Sequence, residues 1–166
     1  MSFEPQTLVG SSVGEYELTA FGGRFGSVLR YTARHQQLRR SATCHVLEPS
    51  ASAAQKERFL QVARQVSKLR HRSLLDIFDS GQTAQSPYFI SEEIVGETLL
   101  EWIERHQYTL RTLRLFVEQL SQMVGVLQAA DVVLGRLLPD SFVVRKSGGV
   151  HRMKLVGLHE RLTHYL

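Results

Sequence analysis

The stretch Pro87-Tyr88-Phe89-Ile90-Ser91-Glu92-Glu93-Ile94-Val95-Gly96-Glu97-Thr98-Leu99 decides how the rest of this chain is read. On its residues alone it is a short strand over 88–92, followed within a few positions by a helix over 98–106. Leu99, Trp102, Ile103 and His106 recur on one side of that helix. Trp102 reads as core. Tyr88 and Phe89 read as sheet packing and not as base-stacking platforms, because no RNA-binding motif surrounds them.

Upstream, the pattern is strand-like from Tyr16 to Leu47. Tyr16-Glu17-Leu18 alternates, and Gly22, Gly23 and Gly26 predict a hairpin bend across 21–26 before the strand resumes over 27–33. A third strand over 41–47 stops ahead of Pro49, and a small-residue loop spans 50–54. Residues 55–70 predict a helix, with Phe59, Val62, Ala63, Val66 and Leu69 at helical spacing. Two short strands, 74–78 and 88–92, are expected around Asp79-Ser80-Gly81. Downstream, 110–129 is the longest helix, with Leu113, Phe116, Val117, Leu120, Val124 and Leu127 on one face. Residues 142–144 and 153–156 then predict a hairpin across Ser147-Gly148-Gly149. Strands, helix, strands, helices and short strands in that order give an α+β architecture, not an alternating βαβ sheet.

The 166 residues are one domain's worth of chain, 43% hydrophobic and 22% charged, as expected of a globular protein with a real core. The formal charge of +4 is carried mostly by arginine, since Lys56, Lys68, Lys146 and Lys154 are the lysines. The arginines are interleaved with glutamates, which argues against a nucleic-acid partner. Cys44 is the single cysteine, so neither an internal disulfide nor a cysteine zinc site can form. The start of the chain lacks a signal-peptide pattern, and the apolar stretch from Met123 to Val144 is broken by Asp131, Arg136, Pro139 and Asp140. A cytoplasmic protein with no membrane contact is the expectation. His159 and His164 lie five apart, so on a helix their imidazoles diverge, and no metal site is expected.

With these motifs in this order, the chain resembles the protein-kinase family, especially bacterial Ser/Thr kinases of the eukaryotic type. Phe25-Gly26-Ser27-Val28 is similar to the tail of the glycine-rich loop. Phe59-Leu60 through Leu69-Arg70-His71 resembles the αC helix and the turn after it. The stretch 87–99 resembles the fifth strand, hinge and αD entry almost position by position. Leu137-Leu138-Pro139-Asp140-Ser141-Phe142-Val143-Val144 resembles the end of the catalytic loop and its following strand. The resemblance implies a protein-kinase-like fold: an antiparallel small lobe with an αC helix, joined by a hinge to a truncated, mainly helical large lobe. The expected divisions are a loose arm over 1–10, the small lobe over 11–93, and a partial large lobe over 94–166 that ends near the Asp-Phe-Gly position.

The same resemblance implies a degenerate catalytic set. The phosphate-gripping lysine falls on His45 and its αC glutamate on Val62, expected to face each other as a settled apolar contact. His-Arg-Asp falls on Leu134-Gly135-Arg136, the loop lysine on Leu138 and the metal-binding asparagine on Ser141. Asp-Phe-Gly falls on Gly157-Leu158-His159, so a permanent cation stands for the base and the principal magnesium carboxylate is gone. Phe21 takes the first loop glycine, with Gly23 and Gly26 at the second and third. The expectation is a non-catalytic pseudokinase-like interaction or scaffold module without metal or cofactor. Its partner would be another protein or a second copy, docked on Leu113, Phe116, Val117, Leu120, Val124 and Leu127. One alternative is a sensor binding ATP weakly without magnesium, through Gly23, Gly26, Val28, Thr43, Ser91, Glu92 and Ile94. The other is a fragment of an active Ser/Thr kinase.

Overall fold

The protein is described from a computed structural model over residues 4–132 and 137–157. Leu134, Gly135, Arg136, Leu158, His159 and His164 lie outside the described residues.

The first sheet starts with β1 (Ser12–Val13), β2 (Tyr16–Phe25), β3 (Val28–His35) and β4 (Ser41–Leu47), of which β4 is buried on both faces after Ser41. Helix α1 (Ala53–Ser67) follows, then β5 (Ile77–Gln82) and β6 (Pro87–Glu92). All pairs are antiparallel in the order β1-β2-β3-β4-β6-β5. One sheet face closes over Leu18, Leu29, Tyr31, Cys44 and Ile90. The other presents Val28, Leu47 and Phe89 to Phe59 and Ala63 of α1. Burial pushes the Tyr31 hydroxyl up to about 12, with Cys44 adding to the shift.

Several sequence expectations shift here, each for a local reason. Strand β2 continues to Phe25 through Gly22 and Gly23, and the bend tightens to Gly26 and Ser27. A register shift between Phe21 and Gly23 absorbs the glycines as a bulge instead of a turn. Asp79-Ser80-Gly81 is strand, paired with Ile90, Phe89 and Tyr88. A side chain at Gly81 would collide with Tyr88, its Cβ 2.7 Å from the hydroxyl, so this glycine makes room for a ring. The reversal falls instead at Thr83, whose Oγ1 accepts from the Ser86 amide at 3.0 Å. Ser52 and Gln55 cap each other reciprocally, which starts α1 at Ala53 inside the expected loop. The N-terminal arm is not loose from Pro5 onward. Pro5–Leu8 forms a 3-10 turn, Tyr31 Oη donates to the Pro5 carbonyl at 2.8 Å, and Leu8 packs on the sheet.

After β6 the chain forms β7 (Glu97–Thr98), α2 (Leu99–Arg105), α3 (Leu110–Ala129), β8 (Phe142–Ser147) and β9 (Val150–Leu155), with a second sheet ordered β7-β8-β9. Thr98 and Glu101 form a second capping box, which opens α2 directly after the hinge. Gly96 has φ +139°, and a Cβ there would lie 2.5 Å from the Val144 carbonyl oxygen. Only glycine lets the hinge pass so close to β8. Trp102, Phe116, Met123, Leu127, Met153 and Leu155 form a core that also takes in Val62 and Val66 of α1. The helix of the small lobe is thereby tied to the helices below it. Among the described residues, no helix is long and apolar enough to cross a membrane.

Candidate functional site

The cleft between the first sheet and the β8–β9 hairpin brings the hinge residues Glu92 and Ile94 beside Lys154 and Val156. Its roof is β3 and β4, its back is the hinge after β6, and its floor is the hairpin.

His45 lies in the middle of β4 and is fully buried. Its ring stacks on Phe89 at 4.3 Å, and its Nε2 lies 3.0 Å from Ser91 Oγ. Ser91 Oγ also lies within donating reach of the Glu92 carbonyl, at 3.0 Å. Phe89 and Ser91, both on β6, are thus partners of His45. Val62 packs in the lower core with Val66 and Leu74.

Two residues on from Val28, and so on the same strand face, Arg30 crosses the cleft. Its Nη2 donates to the Val156 carbonyl at 3.2 Å, and its guanidinium carbon sits 3.7 Å over the Phe25 ring. In the β3–β4 register Arg30 stands opposite His45. A side chain from the roof therefore reaches the floor immediately before Gly157, under the tip of the glycine-rich turn. Sequence reasoning missed this residue, although its parity with Val28 was the signal available.

At the back of the cleft, Thr43 Oγ1 accepts from the Ile94 amide at 3.2 Å. The hinge N–H is therefore engaged by the chain itself. Glu92 forms an ion pair with Lys154 of β9, and its Oε1 also accepts the Asp76 amide at 3.0 Å. Lys154 Nζ reaches the Leu74 carbonyl at 3.2 Å, and Leu155 N donates to Ser73 O at 2.9 Å. These bonds fasten hinge, sheet and hairpin to one another. Both charges are about four-fifths buried, at 20% and 21% exposure, so the pair is less screened by solvent than a surface one.

At the front, the Ser141 carbonyl accepts from the amides of Val156 and Gly157 at 2.8 and 3.1 Å. Its hydroxyl accepts the Leu138 amide at 3.2 Å. Ser141 and Gly157 are therefore joined through the backbone, and the Ser141 hydroxyl is tied into its own turn. Gly23 in the β2 bulge and Gly26 in the turn after it have φ +121° and +60°. Among the described residues, no group of three or more His, Cys, Asp and Glu side chains gathers to hold a metal ion.

The expected interface on α3 divides in two. Phe116 and Leu127 are buried in the core, where Phe116 meets Trp102 edge-on at 5.2 Å. Leu120 and Val124 are partly covered, while Leu113 and Val117 remain exposed. Helix α3 is amphipathic on two sides, and periodicity merged them.

No family model matches the sequence. The chain is 30% identical over 155 residues to the serine/threonine-protein kinase Pkn1 of Myxococcus xanthus, a match covering 90% of this chain and 22% of that protein. It is 30% identical over 98 residues to the DNA damage-responsive serine/threonine-protein kinase RqkA of Deinococcus radiodurans, covering 58% of this chain and 14% of the relative. Among solved structures, the PknI kinase domain of Mycobacterium tuberculosis superposes with a TM-score of 0.76 at 14% identity, over 91% of this chain and 61% of that one. The apo form of PpkA-294 gives 0.75 at 16% identity, over 90% and 61%. The chain thus spans about a fifth or less of the curated relatives and about three-fifths of the solved domains. The identities to the solved chains speak for the fold.

Proposed function

We propose that this chain, a member of the protein-kinase-like superfamily, is a pseudokinase-type interaction module that does not transfer phosphate. The observation that carries the reading is Arg30, which spans the cleft from roof to floor through its bond to the Val156 carbonyl. Phosphoryl transfer is positioning and charge stabilisation around metal ions and the transferring group, so the cleft must be open and must carry opposed charges. Here its polar groups are used on one another: Thr43 on Ile94, His45 on Ser91, and Ser141 on Leu138. Magnesium requires hard oxygen ligands in octahedral array, and Gly157 offers none from its side chain. The residues present do not fit a metal–triphosphate, and no step of transfer is derived through one. What the fold keeps is a rigid two-part body with exposed faces for another protein.

The test is a thermal-shift titration with ATP, with and without magnesium, on the protein and on Arg30→Ala. A ligand that binds only the folded state adds about 2.7 kcal/mol at a hundredfold excess over its dissociation constant. The expected result is no saturable shift for the protein in either condition. Saturable stabilisation independent of magnesium would move the assignment to nucleotide sensing. Magnesium-dependent stabilisation would move it to a kinase fragment.

A further inference from the structure

We infer that the groove between the start of α3 and the tip of the β8–β9 hairpin binds an acidic peptide segment of a partner protein. The inference deepens the interaction-module reading, on which it rests for taking the ligand to be a protein. Arg111, Arg114, Leu115 and Glu118 line the groove from the helix, and Gly149, Val150 and His151 line it from the hairpin, around a volume of about 640 Å³. That volume is in the range of sites that take a small ligand or a few side chains. The two sides are fixed to each other in advance. Gln119, 4% exposed, donates its Nε2 to the His151 carbonyl at 3.2 Å and accepts the Met153 amide on Oε1 at 3.0 Å, which clamps the helix to β9. A pre-formed site spares a ligand the cost of ordering it.

Charge on both sides of the groove runs against the elements that carry it. Arg111 stands in the first turn of α3, which holds no acidic residue, and Arg114 follows about one turn later. Cations are unfavourable at the positive end of a helix dipole. On the hairpin, Lys146 pairs across the strands with His151, on the face that meets Trp102. On the opposite face Arg145 pairs with Arg152 and adds to the same field. Like charges directly opposite one another destabilise a sheet. Residues 141–157 include no Asp or Glu, and among the described residues Arg111, Arg145, Lys146 and Arg152 form no ion pair with a carboxylate. Arg114 bonds Glu118 Oε1 at 2.8 Å through Nε, which leaves its two terminal nitrogens for a second carboxylate. Departures of this kind from local preference concentrate at functional sites. The groove is not purely basic. Leu115 and Val150, the latter 42% exposed, give it an apolar patch, and Glu118 offers a carboxylate oxygen to a donor. A peptide with carboxylates, an apolar side chain and backbone N–H groups meets all three. A phosphodiester backbone supplies no N–H donor, and Glu118 repels it.

Fluorescence anisotropy of the full chain with a short labelled peptide of alternating glutamate and leucine tests the groove. A lysine–leucine peptide and a single-stranded oligonucleotide, equally labelled, are run beside it. The acidic peptide is expected to bind in the micromolar range, about tenfold or more tighter than either of the others, and to be released as salt is raised. Arg111→Glu on the helix and Lys146→Glu on the hairpin should each weaken binding by about tenfold or more. Arg64→Glu, at an exposed position of α1 and with the same change in net charge, should leave it within about twofold. Arg111→Glu has a second readout. It places a carboxylate at the favourable end of α3, so Tm should hold or rise while binding falls. Absence of binding by the acidic peptide, or equal weakening by Arg64→Glu, overturns the inference. Tighter binding of the oligonucleotide through Arg111 overturns it too and assigns the groove to nucleic acid. None of these outcomes bears on the ATP titration, so failure of this inference and failure of the pseudokinase reading are told apart.

Discussion

At position 45 a histidine occupies a place with no room for an unpaired ammonium. It is fully buried, stacked on Phe89 and bonded to Ser91, and Arg30 stands opposite it across the strands. His45→Lys should therefore lower stability by about 3 kcal/mol, the scale expected for a buried charge left without its partner. Urea unfolding of His45→Lys beside the parent measures that loss. If His45→Lys alone unfolds at the same midpoint as the parent, the site is not the closed one described. The residue scale is also where the sequence was least legible. The identity of His45 was plain from its place in the strand, but its partners were not. Ser91 is reached only through the β4–β6 pairing, and Val156 lies 126 residues from Arg30. Spacing along a chain carries no information about such contacts.

The elements were easier to read, because periodicity reports which face is buried. Helices α1 and α3 and strand β4 stand where the apolar spacing put them. The errors cluster at glycines, which sequence reading takes for turns. Gly22, Gly23 and Gly81 sit inside strands, one pair absorbed by a bulge and the other making space for Tyr88. Helix α2 carries a prediction of its own. Glu97 is held below its ordinary value of 4.5, first by its hydrogen bond from His106 and then by Arg105. Glu101 is lowered by the Thr98 amide and hydroxyl that it accepts from at the helix start. A carboxylate whose folded value is depressed contributes stability that is complete above the unfolded value and lost as pH falls through the folded one. The α2 end of the molecule should therefore loosen as pH falls below about 4.5, and not on the alkaline side. Trp102, the single tryptophan, stacks on His106 at 5.4 Å and reports the change by its fluorescence. Glu97→Gln should flatten the acid limb of that titration. An unaltered limb in the variant would mean that this pair does not hold α2.

For the molecule as a whole, the two-part architecture with a strand-rich body, a hinge at Glu92 to Val95 and helices below was legible from four short motifs in order. Closure of the cleft was not, since it arises only when β3, the hinge and β9 come together. The ion pair of Glu92 with Lys154, the Arg30 bond and the shared core of Val62 with Leu127 all join the two parts. In the pseudokinase reading proposed above, they hold one arrangement in place of the opening and closing of a phosphotransfer cycle. Incubation of the purified chain with γ-labelled ATP, magnesium and a generic protein substrate tests this most directly. The account predicts no label on the substrate or on the chain itself above a preparation lacking the protein. Label that appears in proportion to the protein, and disappears when His45 is replaced by alanine, would contradict it.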